Sequence, residues 1–286
     1  MADTKTILVT GATGQQGGAV AHELLAKGYH IRAMTRKPEG EKAQALARLG
    51  AEVIKGDLDD TASLEQAIKG AWGVFAVQNT WEAGVEKEEE QGKRIAPIAK
   101  KLGVQHYVYT SVGSAHRKTG IPHFDNKWRV EETVRQLGFP SYTIIRAAFF
   151  MENLASPWFK PGIDQGKLMI GMKPETTLQM IAVQDVGKYG LWAFEQHRKL
   201  NGRAIDIAGD ALTMPEAAKL ISKAAGKKVE FVQVPIEEVR KASEDFAIML
   251  EWFDRVGYNA DIDATSKESG IASTTFEQWV TTVDWS

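Results

Sequence analysis

Cysteine is absent from the 286-residue sequence, and no charge of one sign dominates it. Without thiols the chain can form no disulfide, no thiolate metal site and no cysteine nucleophile. The 35 lysines and arginines are balanced by 37 aspartates and glutamates, which gives a formal net charge of −2. Because this balance creates no positive field, we expect no direct nucleic-acid binding and no attraction to an anionic membrane.

Long apolar runs are also missing. No uncharged apolar stretch approaches the roughly 20 residues that a membrane helix needs, and the opening MADTKTILVTG lacks the basic and apolar regions of a secretory signal. No grouping of His, Asp and Glu has metal-ligand spacing, so we predict no metal site. Together with the lack of cysteine, these absences favour a cytoplasmic location.

The first half of the sequence alternates regularly between two periods. Short β-rich runs lie at residues 6–11, 30–35, 51–56, 73–78, 106–111 and 141–146. Helical patterns separate them, and most of these patterns end in glycine, the usual residue just past a helix. Alternating strands and helices predict βαβ units, and hence an α/β fold with a doubly wound parallel sheet and helices on both faces.

After Arg146 the alternation becomes less regular, with proline, glycine and large aromatic residues. We therefore predict a main α/β domain over residues 1–150, with a strand and a helix returning to its sheet at about 179–208. Residues 151–178 and 209–286 are predicted to form a second, smaller C-terminal lobe for a substrate or a partner.

The stretch TILVTGATGQQGGAV has Gly11, Gly14 and Gly17 between a predicted strand and a predicted helix. This is the context that the dinucleotide-binding fingerprint requires. There the first glycine makes the tight turn, the second lets the backbone approach the pyrophosphate, and the third lets helix and strand pack closely. The helix N-terminus supplies free N–H groups to the phosphates. A glycine-rich turn without a ligand is the alternative, but the flanking strand and helix favour a dinucleotide site.

The end of the second strand indicates which dinucleotide binds. For NAD an acidic residue is expected about 20 positions on, where it accepts hydrogen bonds from the ribose. The sequence MTRKP instead has Thr35, Arg36 and Lys37 and no carboxylate. A guanidinium binds the 2′-phosphate that a carboxylate would repel, so we predict NADP(H) as the cofactor. The alternative is that Arg36 and Lys37 are solvated loop cations.

Five sequence blocks, GATGQQGG, MTRKP, GAEVIKGDLDD, HFDNKWRVEE and RAAFFMENL, together resemble the NmrA-like proteins, which are atypical short-chain dehydrogenase/reductases. The resemblance runs from the first strand to about residue 155, with a looser match in IAVQDVGK at 181–188. The GxxGxxG spacing is the variant of the extended and atypical members. The similarity is greatest to the NADPH-sensing subgroup of this family, and related members include quinone reductases. The resemblance implies an NADP-binding Rossmann fold.

The resemblance also implies which residues contact the cofactor. Asp57 can also start a helix, which is compatible with a cofactor contact. The alternative roles of Phe150 and Asn153 are a core aromatic residue and a helix cap, respectively. The implied contacts follow the cofactor from one end to the other: Gly11, Ala12, Thr13, Gly14, Gln15, Gln16 and Gly17 at the pyrophosphate, Arg36 and Lys37 at the 2′-phosphate, Asp57 and Leu58 at the adenine, Gln78 and Asn79 at the ribose region, and Lys127, Phe150 and Asn153 at the nicotinamide end.

His123 and Lys127 are the candidate catalytic residues. Short-chain reductases typically pair a tyrosine acid with a lysine four residues later, and here that spacing joins a histidine to a lysine. Both lie on one helical stripe with Val130, Val134 and Leu137. A lysine on an apolar, inward stripe needs a partner, and a cofactor ribose would supply one. The alternative is that both residues meet solvent at the exposed start of the helix.

The tyrosine acid of the usual reductases is therefore missing, since Tyr107, Tyr109 and Tyr142 lie on predicted strands and read as packing residues. This absence favours an NADPH/NADP⁺ redox sensor or regulator that acts through a protein partner. The alternative is an NADPH-dependent reductase of quinones or similar conjugated acceptors, in which His123 donates the proton. Loss of the cofactor altogether is disfavoured by Arg36 and Lys127.

Two further features have structural interpretations beside functional ones. Trp81, Trp128, Phe149 and Trp158 are candidates to line a pocket for a small aromatic substrate beside the nicotinamide, although core packing is the commoner role of such rings. The charge run EKEEEQGKR at residues 86–94 is interpreted as the solvated face of a helix.

Overall fold

The computed structural model describes residues 5–285 of the chain. Its first six strands lie at the six runs that the sequence predicted, and further strands follow in the C-terminal half. The strands are β1 (Thr6–Val9), β2 (His30–Thr35), β3 (Glu52–Lys55), β4 (Gly73–Ala76), β5 (His106–Val112), β6 (Tyr142–Ala147), β7 (Phe149–Phe150), β8 (Lys167–Ile170), β9 (Thr177–Ile181), β10 (Arg203–Ile207), β11 (Asp210–Thr213) and β12 (Glu230–Gln233).

Helices connect most of these strands, and within residues 5–285 two short 3-10 helices cover Ala115–Arg117 and Met151–Ala155. The α-helices are α1 (Gln15–Ala26), α2 (Glu41–Arg48), α3 (Thr61–Ile68), α4 (Thr80–Ala83), α5 (Val85–Lys101), α6 (Pro122–Gln136), α7 (Lys160–Asp164), α8 (Val183–Glu195), α9 (Met214–Ala225), α10 (Ile236–Ala242), α11 (Glu244–Arg255), α12 (Ile262–Ser269) and α13 (Phe276–Val280).

Within residues 5–285 the main sheet has seven parallel strands in the order β10-β6-β5-β4-β1-β2-β3. The chain runs outward from β1 through β2 and β3, and then crosses to β4 on the other side of β1. In open α/β sheets, ligands bind at the carboxyl ends of the strands where the strand order reverses. The predicted doubly wound α/β fold is confirmed, and its topology directs attention to the carboxyl ends of β1 and β4.

Helices cover both faces of the main sheet. On one face α1 and α8 pack over Ile7 and Val9 of β1, and on the other α3, α5 and α6 pack around a core that contains Leu8. Successive residues of β1 thus enter opposite cores, as the alternation of a strand requires. The helices α1 and α8 are so close that a Cβ at Gly190 would lie 2.6 Å from Cγ2 of Val20. This packing holds α1 firmly behind the glycine-rich turn.

A smaller lobe with its own core follows β6. Strands β7, β9 and β11 form a small sheet, β8 pairs with β12, and α9, α11 and α13 pack against them. The helix α8 and the strand β10 return to the main domain, whereas β9 stays in the small sheet. Ile121 and Phe124, at the start of α6, belong to the core of the smaller lobe. The predicted domain boundary near residue 150 stays a prediction, since α6 contributes to both cores.

No helix among residues 5–285 combines the length and the apolar character needed to cross a membrane.

Candidate functional site

The glycine-rich turn lies at the carboxyl end of β1, and its shape depends on glycine at two positions. Gly11 has a φ of 55°, in the left-handed region, and its carbonyl accepts a hydrogen bond from the N–H of Gly14 at 2.8 Å. A Cβ at Gly17 would lie only 2.4 Å from the carbonyl oxygen of Gly11. Only glycine therefore lets the first turn of α1 rest on the tight turn, which is the role of the third glycine in a dinucleotide site.

The N-terminus of α1 is open to an anion. Gly14 and Gln15 are exposed, and the first turn of α1 contains no acidic side chain. The backbone N–H groups of this turn and its dipole are therefore available for a phosphate. A residue of β5 holds the Gln16 side chain in place, since Oγ1 of Thr110 donates a hydrogen bond to Oε1 of Gln16 at 2.6 Å.

Thr10 joins the carboxyl ends of β1 and β4, the two strands between which the strand order reverses. Its Oγ1 donates to the carbonyl of Val77 at 2.9 Å and accepts from the N–H of Val77 at 2.8 Å. The turn after β1 and the segment after β4 are thereby fixed relative to each other. The other predicted pyrophosphate contacts, Ala12 and Thr13, lie in the same turn, buried and half-buried respectively.

The predicted 2′-phosphate contacts follow β2. Arg36 and Lys37 are both exposed, and the Arg36 guanidinium forms an ion pair with Glu82 of α4. The hydrogen bond to Glu82 raises the pKa of Arg36 above its ordinary value. The site therefore already contains one carboxylate that holds this arginine, and an incoming 2′-phosphate would compete with Glu82 for it.

The predicted adenine contacts follow β3. Asp57 and Leu58 are half-buried, and the Asp57 carboxylate accepts a hydrogen bond from the N–H of Asp59 at 3.0 Å. The cap of α3 is a different residue, Asp60, whose side chain accepts from the N–H of Ala62. The predicted second role of Asp57 as a helix start therefore belongs to Asp60.

Gln78, just beyond β4, has a buried side-chain amide without a hydrogen-bond partner. Only 6% of the residue is exposed, and neither Oε1 nor Nε2 is satisfied by any described residue. Leaving buried polar atoms unpaired costs about 1–3 kcal/mol, and the hydroxyl groups of a ribose would satisfy them. Asn79 has a different role in the structure, because its side chain caps α4 by accepting from the N–H of Trp81 at 3.1 Å. The unpaired amide of Gln78 fits the predicted ribose contact.

Lys127 forms an ion pair with Glu88 of α5 in the protein interior. Glu88 is 1% exposed, and its carboxylate also accepts hydrogen bonds from the Thr80 hydroxyl and from Nδ2 of Asn126, the latter at 2.8 Å. Burial alone would raise the pKa of Glu88, but the charge of Lys127 and the three hydrogen bonds lower it below the usual value. The partner of this half-buried lysine is therefore a carboxylate of the protein, which sequence reasoning missed.

Glu88 corrects the interpretation of the charge run at residues 86–94. Glu86, Lys87, Glu90 and Lys93 are exposed as a solvated helix face requires, but Glu88 points inward with Gln91, Gly92 and Ile95. The offsets of 3, 4 and 7 residues on α5 are the spacing of a buried helix face. That spacing was the signal in the sequence that could have identified Glu88.

His123 lies in the interior at the start of α6, so the alternative of a solvated helix start is excluded for it. Its Nδ1 pairs with the carboxylate of Asp245, whose other oxygen accepts from the His123 N–H at 3.1 Å. The Trp81 ring lies 5.3 Å from the His123 ring, measured between centroids. Asp245 belongs to α11 of the smaller lobe, 122 residues along the chain. No local pattern connected these two residues.

The four aromatic residues predicted to line a substrate pocket lie in different surroundings. Phe149 is buried 6.5 Å from the Phe253 ring, whereas Trp128 lies under the guanidinium of Arg135 at 4.8 Å. Trp158 is 87% exposed, and Trp81 packs beside the His123 ring instead. Among residues 5–285 no ring contact joins any two of the four. Trp81 is the one of the four whose ring contacts the His123 ring in the described residues, and the predicted substrate pocket stays a prediction.

The segment FFMEN leads from β7 into the following 3-10 helix. Phe150 and Asn153 are half-buried there. Their neighbour Glu152 is half-buried as well, and its carboxylate accepts hydrogen bonds from the N–H of Val183 at 3.0 Å and from Nε1 of Trp279 at 3.1 Å. Burial raises the pKa of Glu152. Glu152 therefore joins the start of α8 to α13, and the contacts predicted for Phe150 and Asn153 stay predictions.

A glycine turn at the switch point, the open end of α1 and a basic pair after β2 are the features of a dinucleotide-binding α/β protein. Comparison with known proteins gives the family. The model of the NmrA-like family matches residues 3–280, and the chain belongs to this family. It is 30% identical over 271 residues to an NmrA-like family domain-containing protein of Dictyostelium discoideum, and the alignment covers 89% of each chain.

Two solved structures resemble the whole chain. One is NmrA, a negative transcriptional regulator in complex with NAD, with a TM-score of 0.82, 24% identity and 99% of each chain covered. The other is the NADPH-dependent quinone oxidoreductase of Escherichia coli in complex with NADPH, with a TM-score of 0.82, 25% identity, and 96% of this chain and 99% of that one covered. The chain thus has the NAD(P)-binding fold of this family.

Proposed function

We propose that this protein is an NADPH-dependent reductase of quinones or similar conjugated acceptors. The observation that carries the proposal is the position of His123 and Lys127, one helical turn apart on the buried side of α6, where this helix starts at the carboxyl edge of the main sheet. Each is held by a carboxylate of its own, Asp245 and Glu88 respectively. A proton donor and a cation at this edge suit hydride transfer to an oxygen-bearing acceptor.

The cofactor would be held by the glycine turn at its pyrophosphate, by Gln78 and Lys127 at its ribose, and by Arg36 and Lys37 at its 2′-phosphate. When bound, NADPH supplies the hydride. The exposed basic pair after β2 supports NADP(H) over NAD(H). MTRKP contains no acidic residue that would accept hydrogen bonds from the ribose hydroxyls of NAD(H). The quinone oxidoreductase relative is an NADPH enzyme, and structures of the regulator contain either NAD or NADP.

The residues of the chain divide the remaining work. His123 donates a proton to the acceptor oxygen as that oxygen gains charge, and solvent then returns the proton to the imidazole. Lys127 keeps its charge balanced by Glu88, so it orients ribose hydroxyls and does not serve as the acid. A quinone delocalises its own negative charge, and one histidine is enough to complete its reduction.

The test is NADPH consumption with a panel of quinones and enones. Purified protein is compared with His123→Gln and Lys127→Ala, and Lys93→Ala on the exposed side of α5 serves as the control. We expect steady quinone-dependent oxidation that falls at least about 100-fold in His123→Gln and is unchanged in the control. Tight NADPH binding without any turnover would contradict the reductase function and favour the function of a regulator.

The second candidate is an NADPH/NADP⁺ sensor or regulator that acts on a protein partner. It is favoured by the lack of a tyrosine acid, because Tyr107 and Tyr109 are fully buried and burial raises the pKa of both. The solved relative that is a negative transcriptional regulator supports this role. The cytoplasmic location expected from the sequence stays a prediction for either function.

A further inference from the structure

The carboxylate of Asp245 on α11 makes two contacts with His123 on α6. One oxygen accepts the His123 N–H at 3.1 Å, and the other pairs with His123 Nδ1. Asp245 is in the first turn of α11, two residues after Ser243, whose side chain caps that helix. Both the carboxylate and the imidazole are largely removed from solvent, with 19% and 9% of their side chains exposed. A desolvated, two-point contact holds the ring in one orientation.

The pairing determines which nitrogen of the imidazole faces the acceptor. An ionised carboxylate can only accept hydrogen bonds, so Nδ1 must carry a proton. The nitrogen that remains for a substrate is Nε2. When His123 is charged, Nε2–H is the proton that it gives up, and the neutral ring that remains keeps its Nδ1–H on Asp245.

A neighbouring apolar contact also joins α6 and α11. Phe124, the residue after His123, is fully buried in the core of the smaller lobe. Its ring centroid lies 6.1 Å from that of Trp252 on α11. The same two helices are thus joined by an apolar contact and by the Asp245–His123 pair, and a shift of α11 would change both.

We propose that Asp245 is a positioning residue that fixes the Nδ1-protonated state of His123, so that α11 controls proton donation from the start of α6. This inference rests on the reductase function proposed above. In the step concerned, hydride from the reduced cofactor enters the acceptor, the Nε2–H bond of His123 breaks, and an O–H bond forms on the acceptor. The imidazole is left neutral with Nδ1–H still bound to Asp245, and a proton from water restores the charged form.

A purely structural role for Asp245 would be to cap α6. No side chain of the preceding segment caps this helix at Ile121, and the bond from the His123 N–H to Asp245 fills that role. Capping alone requires one oxygen and leaves the ring free to choose its tautomer. The contact at Nδ1 is what the positioning role adds, and tautomer is therefore the quantity to measure.

The experiment reads the tautomer directly with ¹⁵N-histidine NMR on the full chain. The His123 signals are assigned by their loss in His123→Gln. We expect Nδ1–H in the wild type and a substantial Nε2–H population in Asp245→Asn, whose amide can donate to Nδ1. Glu244→Gln, which alters the adjacent exposed residue of α11, should leave the tautomer unchanged. Asp245→Glu should restore Nδ1–H and is the second variant if Asp245→Asn folds poorly.

Kinetics complete the test. With a quinone acceptor, Asp245→Asn should lower kcat at least about tenfold and leave the KM for NADPH unchanged. An unaltered Nδ1–H tautomer in folded Asp245→Asn would overturn the positioning role, whether or not the protein turns over. Equal loss of kcat and of NADPH binding would likewise indicate a structural role. Absence of turnover in the wild type contradicts the reductase function alone, because the NMR result does not depend on activity.

Discussion

Glu88 of α5 and Lys127 of α6 form an ion pair in the interior, and the Thr80 hydroxyl and the Asn126 amide donate to the same carboxylate. Neither charge is stable alone in these surroundings, since removing one partner of a buried pair leaves an uncompensated charge. Because Thr80 starts α4, the network also ties the segment after β4 to α6. This buried network therefore positions the candidate cofactor site.

Replacing Glu88 by glutamine should lower the free energy of unfolding by about 3–5 kcal/mol, because Lys127 is left buried without a counter-charge. NADPH should bind more weakly, since the lysine is no longer held in place. Urea unfolding and a fluorescence titration measure the two effects. The exposed Glu90→Gln on the same helix is the control and should behave as wild type. Wild-type stability of Glu88→Gln would show that the pair does not support the fold.

Arg36→Gln should remove the preference for the phosphorylated cofactor. A hydrogen bond to a charged group contributes about 1.5–3 kcal/mol, so the Kd for NADPH should rise about 10- to 100-fold while that for NADH changes little. Calorimetric titration with both cofactors checks this, with Arg48→Gln on the exposed side of α2 as the matched control. Equal losses for NADPH and NADH would contradict a 2′-phosphate contact.

Glu82→Gln should act in the opposite direction. Glu82 occupies Arg36 in the structure and would repel a 2′-phosphate placed beside it. Removing its charge should therefore tighten NADPH binding by a few fold, and the gain should shrink at high salt because both groups are exposed. Titrations at low and at high salt measure it. Tighter binding of NADH by the same factor would point to a general change in α4.

Gly17→Ala should disrupt the turn around the pyrophosphate. The new methyl group would lie 2.4 Å from the Gly11 carbonyl oxygen, a distance at which backbone must move. We expect a loss of about 1–3 kcal/mol of stability and no measurable NADPH binding. Gly18→Ala is the comparison, because its methyl group would lie 3.3 Å from the nearest oxygen, that of Ala12. Thermal melts with and without NADPH separate the two variants.

His106 should make the protein sensitive to acid. Burial first, and then the charge of His197, lower its pKa from 6.5 to about 3. Between these values the unfolded chain binds a proton that the folded chain does not, so stability falls as the pH drops from 6.5 toward 3. At pH 5 the loss relative to pH 7.5 is about 2 kcal/mol.

The variant that checks this is His106→Gln, measured by urea unfolding at pH 5 and pH 7.5. The difference in unfolding free energy between the two pH values should shrink by about 2 kcal/mol relative to wild type. His22→Gln, on the exposed surface of α1, should leave the pH dependence as it is. A His106→Gln protein with the full wild-type pH dependence would assign the acid sensitivity to other groups.

Local patterns were sufficient to predict the fold and the entry to the site. The six strands, the glycine turn and the inward stripe of α6 each depend on residues close together in the chain, and the structure has all of them. The buried state of Glu88 was missed because the charges around it resemble a solvated surface. The four aromatic residues were grouped by type alone, and among residues 5–285 no ring contact joins any two of them.

The sequence by itself determined a doubly wound sheet, a dinucleotide turn at the end of β1 and a basic pair after β2, because each follows from short-range geometry and periodicity. Tertiary structure alone decided the partners of the two candidate catalytic residues. Lys127 meets Glu88 across 39 residues and His123 meets Asp245 across 122. Such pairs depend on how α5, α6 and α11 pack, and buried charges find whichever counter-charge that packing brings within reach.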